Sequence, residues 1–243
     1  NTNPVDAYRG AGRPEAAFLI ERLIDKSAKI IGISPIEIRK INLIDSSDMP
    51  YTTALGHKYD SGDFINNMMN CAKRAKFSTF ENRKKISKDK DKLRGIGIST
   101  YIEACGGGGP ESASLHLGKN GNIEVKIGTQ SNGQGHATSY AQIVSEILDI
   151  DIDQIEVVQG NSVEIPSGSG TAGSRSTPVG GSALYKATED FFSKSKELLA
   201  KYKSLDINSL YYKKGFFHHK NDVFSLSDIA KFTSKAGKPL HTE

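Results

Sequence analysis

Between residues 123 and 158 the apolar positions change period twice. Ile123, Val125 and Ile127 alternate with Glu124, Lys126 and Gly128, the period of a half-buried strand. From His136 onward Tyr140, Ile143, Val144, Ile147 and Leu148 fall at helical spacing, and Ile155–Val158 returns to strand character. The pattern predicts a βαβ unit, whose right-handed crossover leaves the ends of two parallel strands on one edge of a sheet. Two unusual loops occupy that edge. Asn132-Gly133-Gln134-Gly135 lies where the first strand gives way to the helix. Gly168-Ser169-Gly170-Thr171-Ala172-Gly173-Ser174-Arg175-Ser176-Thr177 follows the second strand and opens a long helix over 179–203, with Ala183, Leu184, Ala187, Phe191, Leu198 and Leu199 on its buried side.

Upstream, 112–117 and 123–128 read as a hairpin turning through Lys119-Asn120-Gly121-Asn122, and 95–102 has strand character. Cys105 to Pro110, with four glycines in a row, is a loop. Pro14–Ile31 predicts a helix with Leu19 or Ile20, Leu23, Ile24, Ala28 and Ile31 as its apolar face, ended by Gly32. Ser34-Pro35-Ile36-Glu37 is a capping box for a second helix to about Leu43, 47–60 reads as loop, and 63–75 is helical. Ser78-Thr79-Phe80-Glu81 reads as another capping box. A small hairpin over 215–224 and a helix over 226–232 close the chain. The expected fold class is α+β (mixed α/β), a βαβ-containing sheet with packed helices. The Lys/Asp-rich stretch 85–92 interrupts the apolar pattern, so the boundary is placed there: a mainly helical part over 1–90 and a sheet-bearing part over 91–243.

Composition narrows the function classes. The 243 residues, 37% hydrophobic, suffice for a real core, and no apolar run approaches the ~20 residues that a membrane-spanning helix needs. Cys71 and Cys105 show no metal-ligand spacing, so the chain is expected to hold no iron–sulfur cluster or zinc, and a reducing, cytoplasmic setting is the simple inference. The net charge of +4 is spread out, and the basic run from Arg83 to Lys92 is interrupted by acids and lacks interleaved aromatics, which argues against nucleic acid. His218 and His219 point to opposite faces of a strand and cannot chelate one metal.

Two Gly/Ser/Thr-rich loops at helix N-termini put small hydrogen-bond donors and the positive ends of helix dipoles on one rim, an arrangement suited to a large anionic ligand. A lone Gly-x-Gly more often makes only a tight turn. A third motif changes the balance: Asp6-Ala7-Tyr8-Arg9-Gly10-Ala11-Gly12-Arg13-Pro14-Glu15-Ala16. AYRGAGRPEA, NGQGHAT and GSGTAGSRST, in this order, resemble the large, molybdopterin-binding subunit of molybdenum hydroxylases, the xanthine dehydrogenase, aldehyde oxidase and carbon monoxide dehydrogenase superfamily. The likeness extends over most of residues 1–185, including Pro35-x-Glu37-x-Arg39-x-x-Asn42 and Gly95-x-Gly97.

The resemblance implies part of a molybdopterin-binding domain, a tail of the first such domain over 1–90 and an incomplete second one over 91–243. It implies a molybdopterin cofactor with molybdenum, in the simple form or as the cytosine dinucleotide. Arg9, Gly10, Gly133, Gln134, Gly135, Thr171, Gly173, Ser174 and Ser176 are the implied cofactor-binding residues, Arg9 and Gly10 through backbone N–H groups beside the metal. The Arg9 side chain has surface or interdomain ion pairing as its plain alternative. Glu103 lies where the related enzymes line their substrate cavity. His136 stands at the helix start, beside the cofactor or in solvent. Gly10 occupies the place of the copper-binding cysteine of carbon monoxide dehydrogenases, which argues against that branch. The family's reaction is hydroxylation by water of an aldehyde or an N-heterocycle such as a purine. Its glutamate base falls in a segment outside this chain, so no catalytic residue is expected here. Iron–sulfur clusters and FAD are expected on partner chains, an iron–sulfur and a flavin subunit, beside the remaining segments of the large subunit. The opening Asn1 reads as a cut end rather than a natural start. The alternative, from the residues alone, is a non-catalytic α/β module that binds a nucleotide or serves in assembly.

Overall fold

A computed structural model describes residue 3 and residues 7–165, 167–235 and 240–242. Asp6, the first residue of the opening motif, lies outside the described residues. The chain divides into two compact units, one ending at Glu103 and one starting at Ala104. The Lys/Asp-rich stretch 85–92 falls inside the first unit, at the end of its last helix.

The first unit contains helices α1 (Arg13–Ile31), α2 (Pro35–Asn42), α3 (Phe64–Arg74) and α4 (Phe80–Lys88), with two-residue strands β1 (Tyr51–Thr52) and β2 (Lys58–Tyr59) paired inside the stretch expected to be loop. Gly32 closes α1 at φ 83°, and the Ser34 hydroxyl accepts the Glu37 N–H at 3.1 Å to start α2. Arg39 joins the two helices. Its Nε and Nη2 donate to Glu21 Oε2 at 2.8 and 2.6 Å, and its Nη1 donates to the Pro35 carbonyl at 2.8 Å.

This seam explains one correction. Of the predicted apolar face of α1, Ala28 is buried and Ile24 half-buried, but the other buried residue is Glu21, and Leu19, Leu23 and Ile31 are 61%, 56% and 65% exposed. Glu21 on this helix meets Arg39 of α2, so most of the apolar stripe is left exposed. Two further expectations fail. Residues 95–102 belong to no strand, because strand character becomes a strand only with a hydrogen-bonded neighbour, and none pairs with them among the described residues. The Ser78–Glu81 capping box does not form. A 3₁₀ turn over Phe77–Thr79 runs straight into α4, and the Thr79 hydroxyl donates backward to the Lys76 carbonyl instead of capping.

In the second unit a four-stranded sheet carries β3 (Ala113–Leu117), β4 (Ile123–Ile127), β5 (Ile155–Val158) and β9 (His241–Thr242) in the order β5-β4-β3-β9. The strands β6 (Tyr211–Lys213), β7 (Phe216–His219) and β8 (Asp222–Ser225) form a separate antiparallel sheet. β3 and β4 are the predicted hairpin, with Leu115 opposite Val125, and β4 runs parallel to β5, with Val125 opposite Val157. Helix α5 (His136–Leu148) makes the crossover. α5 and α6 (Gly181–Lys203) pack together, α5 against β5 and α6 against β3. Strict alternation in β3 and β4 sends Leu115, Ile123, Val125 and Ile127 into a core shared with Tyr140, Val144, Leu184 and Phe191. The last helix, α7 (Leu226–Lys235), adds Ile229 and Ala230 to it. The small sheet is tied to the end of α5, where the Tyr212 hydroxyl donates to the Leu148 carbonyl at 2.6 Å and the Lys214 N–H to Asp149 Oδ2 at 2.6 Å.

Candidate functional site

β4 and β5 are adjacent and parallel, so the loops that leave them emerge at one edge of the sheet. They are bonded to each other. The Thr171 hydroxyl donates to the Gln130 carbonyl at 2.5 Å and lies 3.0 Å from the Ser176 hydroxyl, and the Ser131 N–H donates to Gln159 Oε1 at 2.9 Å. Beneath them the buried Tyr140 hydroxyl sits 2.6 Å from Thr129 Oγ1 and donates to the Ser176 carbonyl at 3.1 Å. Burial pushes the ionisation of Tyr140 upward, which keeps it a neutral donor. A π turn over Ser176–Gly180, a wide turn of the kind found at functional sites, leads into α6.

A third loop completes the rim. The N–H groups of Gly107 and Gly106 donate to the carbonyls of Gly173 and Ser174 at 2.8 and 3.2 Å. A Cβ on Gly107 would stand 2.7 Å from the Gly173 oxygen, and one on Gly128 would stand 2.6 Å from the Gly168 Cα. These glycines therefore serve loop-to-loop packing. Arg175, only 2% exposed, spans the same junction and pairs with Glu111, whose side chain is fully buried, at 2.6 Å.

Gly133 and Gly135 are different. Both have positive φ, 99° and 78°, and a Cβ on either would meet nothing within 4 Å. Gly135 caps α5 with no side-chain bond, so the first N–H groups of that helix face outward with the positive end of its dipole. Gln134 is exposed, and its Oε1 accepts the Asn132 N–H at 2.5 Å, so the side chain's acceptor is used within the loop and its amide Nε2 is the group left to offer outward. His136, the first residue of α5, is buried, yet its Nδ1 has no hydrogen-bond partner among the described residues. That is an unsatisfied polar atom next to an open backbone.

In the first unit, Arg9 is exposed in a turn closed by the Ala11 N–H donating to the Tyr8 carbonyl at 2.6 Å. Gly10 follows at φ 99°, where a Cβ would stand 2.8 Å from the Pro14 ring. Glu103 accepts from Arg13 Nη1 at 2.9 Å, joining the opening motif to the end of the unit. No group of three or more metal-ligating side chains occurs among the described residues. The structure thus brings Gly133–Gly135, Thr171, Gly173, Ser174 and Ser176 to one rim of the second unit, and Arg9, Gly10 and Glu103 to one region of the first. Motif reading did not single out Glu111, Arg175 or the Tyr140 hydroxyl. The available signal was a charged residue within or directly after two of the Gly-rich loops, Arg175 in 168–177 and Glu111 after Pro110.

The profile of a molybdopterin cofactor-binding domain matches residues 70–243, and that of a second such domain matches residues 1–43. The chain is 34% identical over 248 residues to the 6-hydroxypseudooxynicotine dehydrogenase complex subunit gamma of Paenarthrobacter nicotinovorans, covering 97% of this chain and 31% of that one. It is 32% identical over 242 residues to the carbon monoxide dehydrogenase large chain of Hydrogenophaga pseudoflava, covering 92% of this chain and 30% of that one. Among solved structures, reconstituted CO dehydrogenase from Oligotropha carboxidovorans superposes with a TM-score of 0.72 at 28% identity, over 94% of this chain and 32% of that one. The chain therefore spans about a third of the length of these relatives. With one profile matching more than half of its residues, the chain belongs to the family of molybdopterin cofactor-binding domains.

Proposed function

We propose that this chain is part of the large subunit of a molybdenum hydroxylase and that the rim of its second unit holds the molybdopterin. The observation that carries this is the hydrogen-bonded junction of the two strand-to-helix loops, with Thr171 on Gln130. The residues fit the group. Gly133 and Gly135 leave backbone open to close approach, the uncapped N-terminus of α5 suits a phosphate, and the unpartnered Nδ1 of His136 has a ligand atom to gain. Gln134 would donate through Nε2, Gly173, Ser174 and Ser176 would contribute hydroxyl and backbone donors, and Thr171 its backbone N–H, since its hydroxyl proton is used on Gln130. In the first unit, Arg9 and Gly10 are proposed contacts through backbone N–H groups, and Glu103 a residue of the substrate cavity.

When bound, the cofactor supplies the redox centre for hydroxylation by water of an aldehyde or an N-heterocycle such as a purine. This chain's share is binding and orientation: fixed N–H and O–H donors on packed elements hold a charged ligand without reorganising. The base, the iron–sulfur clusters and FAD are assigned to other segments and to iron–sulfur and flavin partners, and the complex to the cytoplasm. Among the described residues no helix is long and apolar enough to cross a membrane. Despite the likeness to carbon monoxide dehydrogenases, a copper-binding cysteine at position 10 is disfavoured, because the Pro14 ring stands where its Cβ would go.

The test is elemental and pterin analysis of the complex purified with this subunit at its natural length. Molybdenum and pterin stoichiometric with the subunit are expected. A complex with neither, or with a bound nucleotide instead, would overturn the proposal in favour of a non-catalytic module.

A further inference from the structure

We infer that the buried Arg175–Glu111 pair is a positioning device that fixes where the 168–174 loop presents its donors. The inference rests on the function proposed above. Residues 167–174, Ser-Gly-Ser-Gly-Thr-Ala-Gly-Ser, carry no side chain larger than threonine and none that is apolar beyond Ala172. Hydrophobic burial therefore cannot hold this loop, and something polar has to.

One guanidinium does so. Arg175 Nη1 donates to Glu111 Oε2 at 2.6 Å and to the Gly170 carbonyl at 2.9 Å, while Nη2 donates to the carbonyls of Gly109 at 3.1 Å and Pro110 at 2.8 Å. A single rigid fork thus takes acceptors from both loops and sets the register of one on the other. The surrounding bonds repeat that register: Gly107 N–H to the Gly173 carbonyl, Ser169 Oγ to the Pro110 carbonyl at 3.0 Å, and the Ser112 and Ser167 hydroxyls 2.9 Å apart. The next residue, Ser176, meets both Thr171 and Tyr140, so a shift of the loop would move every donor on this side of the rim.

For stability alone a charged pair is a poor choice, since a well-packed apolar pair of similar volume is often as stable or more so when buried. What an apolar pair cannot do is fix direction. Neither Glu111 nor Arg175 needs to touch the cofactor: they act through the backbone that does.

Two variants of the natural-length subunit, in its assembled complex, separate holding the loop from holding the fold. Arg175→Lys keeps a charge opposite Glu111 and loses the fork; the double variant Glu111→Leu/Arg175→Met fills the space with apolar atoms. Melting temperature reads the fold, hydrogen exchange at the Gly106 and Gly107 amides reads the loop, and fluorescence of the oxidised pterin released on denaturation reads the cofactor. Both variants are expected to melt within about 5 °C of the parent. Exchange at Gly106 and Gly107 should quicken about tenfold and pterin content should fall about tenfold. Parent-like pterin content in the assembled double variant overturns the inference. If the double variant does not assemble, Arg175→Lys decides alone, and parent-like exchange with parent-like pterin overturns it. If the parent complex itself contains no pterin, the functional proposal fails separately and the positioning role is judged on exchange: faster in Arg175→Lys supports it, unchanged refutes it.

Discussion

The hydroxyl of Thr171 donates to the carbonyl of Gln130, 41 residues earlier in the chain, and this bond helps to join the loop after β5 to the loop after β4. Its oxygen also lies 3.0 Å from the Ser176 hydroxyl, so Thr171 links both loops to the first turn of α6. Thr171→Val preserves shape and removes both contacts. At about 1 kcal/mol net per hydrogen bond, the variant should lose roughly 1–2 kcal/mol against denaturant, while Thr171→Ser should stay near the parent. Equal stability of the valine and serine variants would show that the bond carries nothing.

If the proposed function holds, Gln134 divides its amide between structure and ligand. Its oxygen holds the Asn132 N–H, and its nitrogen remains. Gln134→Glu keeps an acceptor for that N–H and removes the outward donor; Gln134→Ala removes both. In the complete enzyme each should lower kcat/KM about a hundredfold with little change in melting temperature, the usual cost of one preorganised donor at a reacting centre. Full activity of Gln134→Glu with intact molybdenum would remove Gln134 from the site.

The sequence disclosed the parts governed by local rules. Strand alternation, helix period, the Asn-Gly turn and the Ser34 cap act over a few residues, and the βαβ unit follows from them, as does the shared rim. What escaped it depends on partners far apart in the chain. The apolar stripe of α1 could be read, but which side of that helix would face α2 was decided by Arg39 reaching Glu21, 18 residues away. Residues 95–102 have the composition of a strand, yet pairing is not written in one segment. At the site, Gly-rich motifs marked the loops but could not say which glycines pack and which lie open, since that depends on Gly107 meeting Gly173 and Gly128 meeting Gly168.

Acid should weaken the start of α7 in a defined window. Asp228 accepts from the Ser225 N–H at 3.0 Å and the Ser225 hydroxyl at 2.8 Å, and its own N–H returns a bond to Ser225 Oγ, a reciprocal cap. The bond from the Ser225 backbone N–H, foremost, holds the Asp228 carboxyl below its ordinary value of 3.8. A carboxyl with a depressed folded value stabilises the fold above the unfolded value and loses that contribution as pH falls through the folded one. The stability gap between parent and Asp228→Asn should therefore be constant above about pH 5 and shrink as pH drops below the ordinary carboxylate range. Unfolding curves at a series of pH values would show it, and a gap that widens on acidification would contradict the assigned bond.

Alanine at either of two glycines of the same rim should lower pterin content, for different reasons. At Gly128 a new Cβ would lie 2.6 Å from the Gly168 Cα and press on the Glu111 carboxylate, and backbone has no rotamer with which to yield. Overpacking of this kind costs about 1–3 kcal/mol, and the relief available is to part the two loops. Gly128→Ala should therefore lower melting temperature and quicken exchange at Gly106 and Gly107, with pterin lost as a consequence. At Gly133 the methyl meets nothing within 4 Å, and the cost is only that of placing alanine at φ 99°. That strain is roughly 1–2 kcal/mol, so the variant should fold and assemble. Yet if the cofactor approaches the backbone here, the methyl occupies its space, and pterin content should fall about tenfold in a complex whose fold is little changed. Stability and pterin content measured together on both variants distinguish a packing glycine from a binding one. Parent-like pterin in Gly133→Ala would leave Gly133 as a turn residue and shift the binding role to the N-terminus of α5 alone.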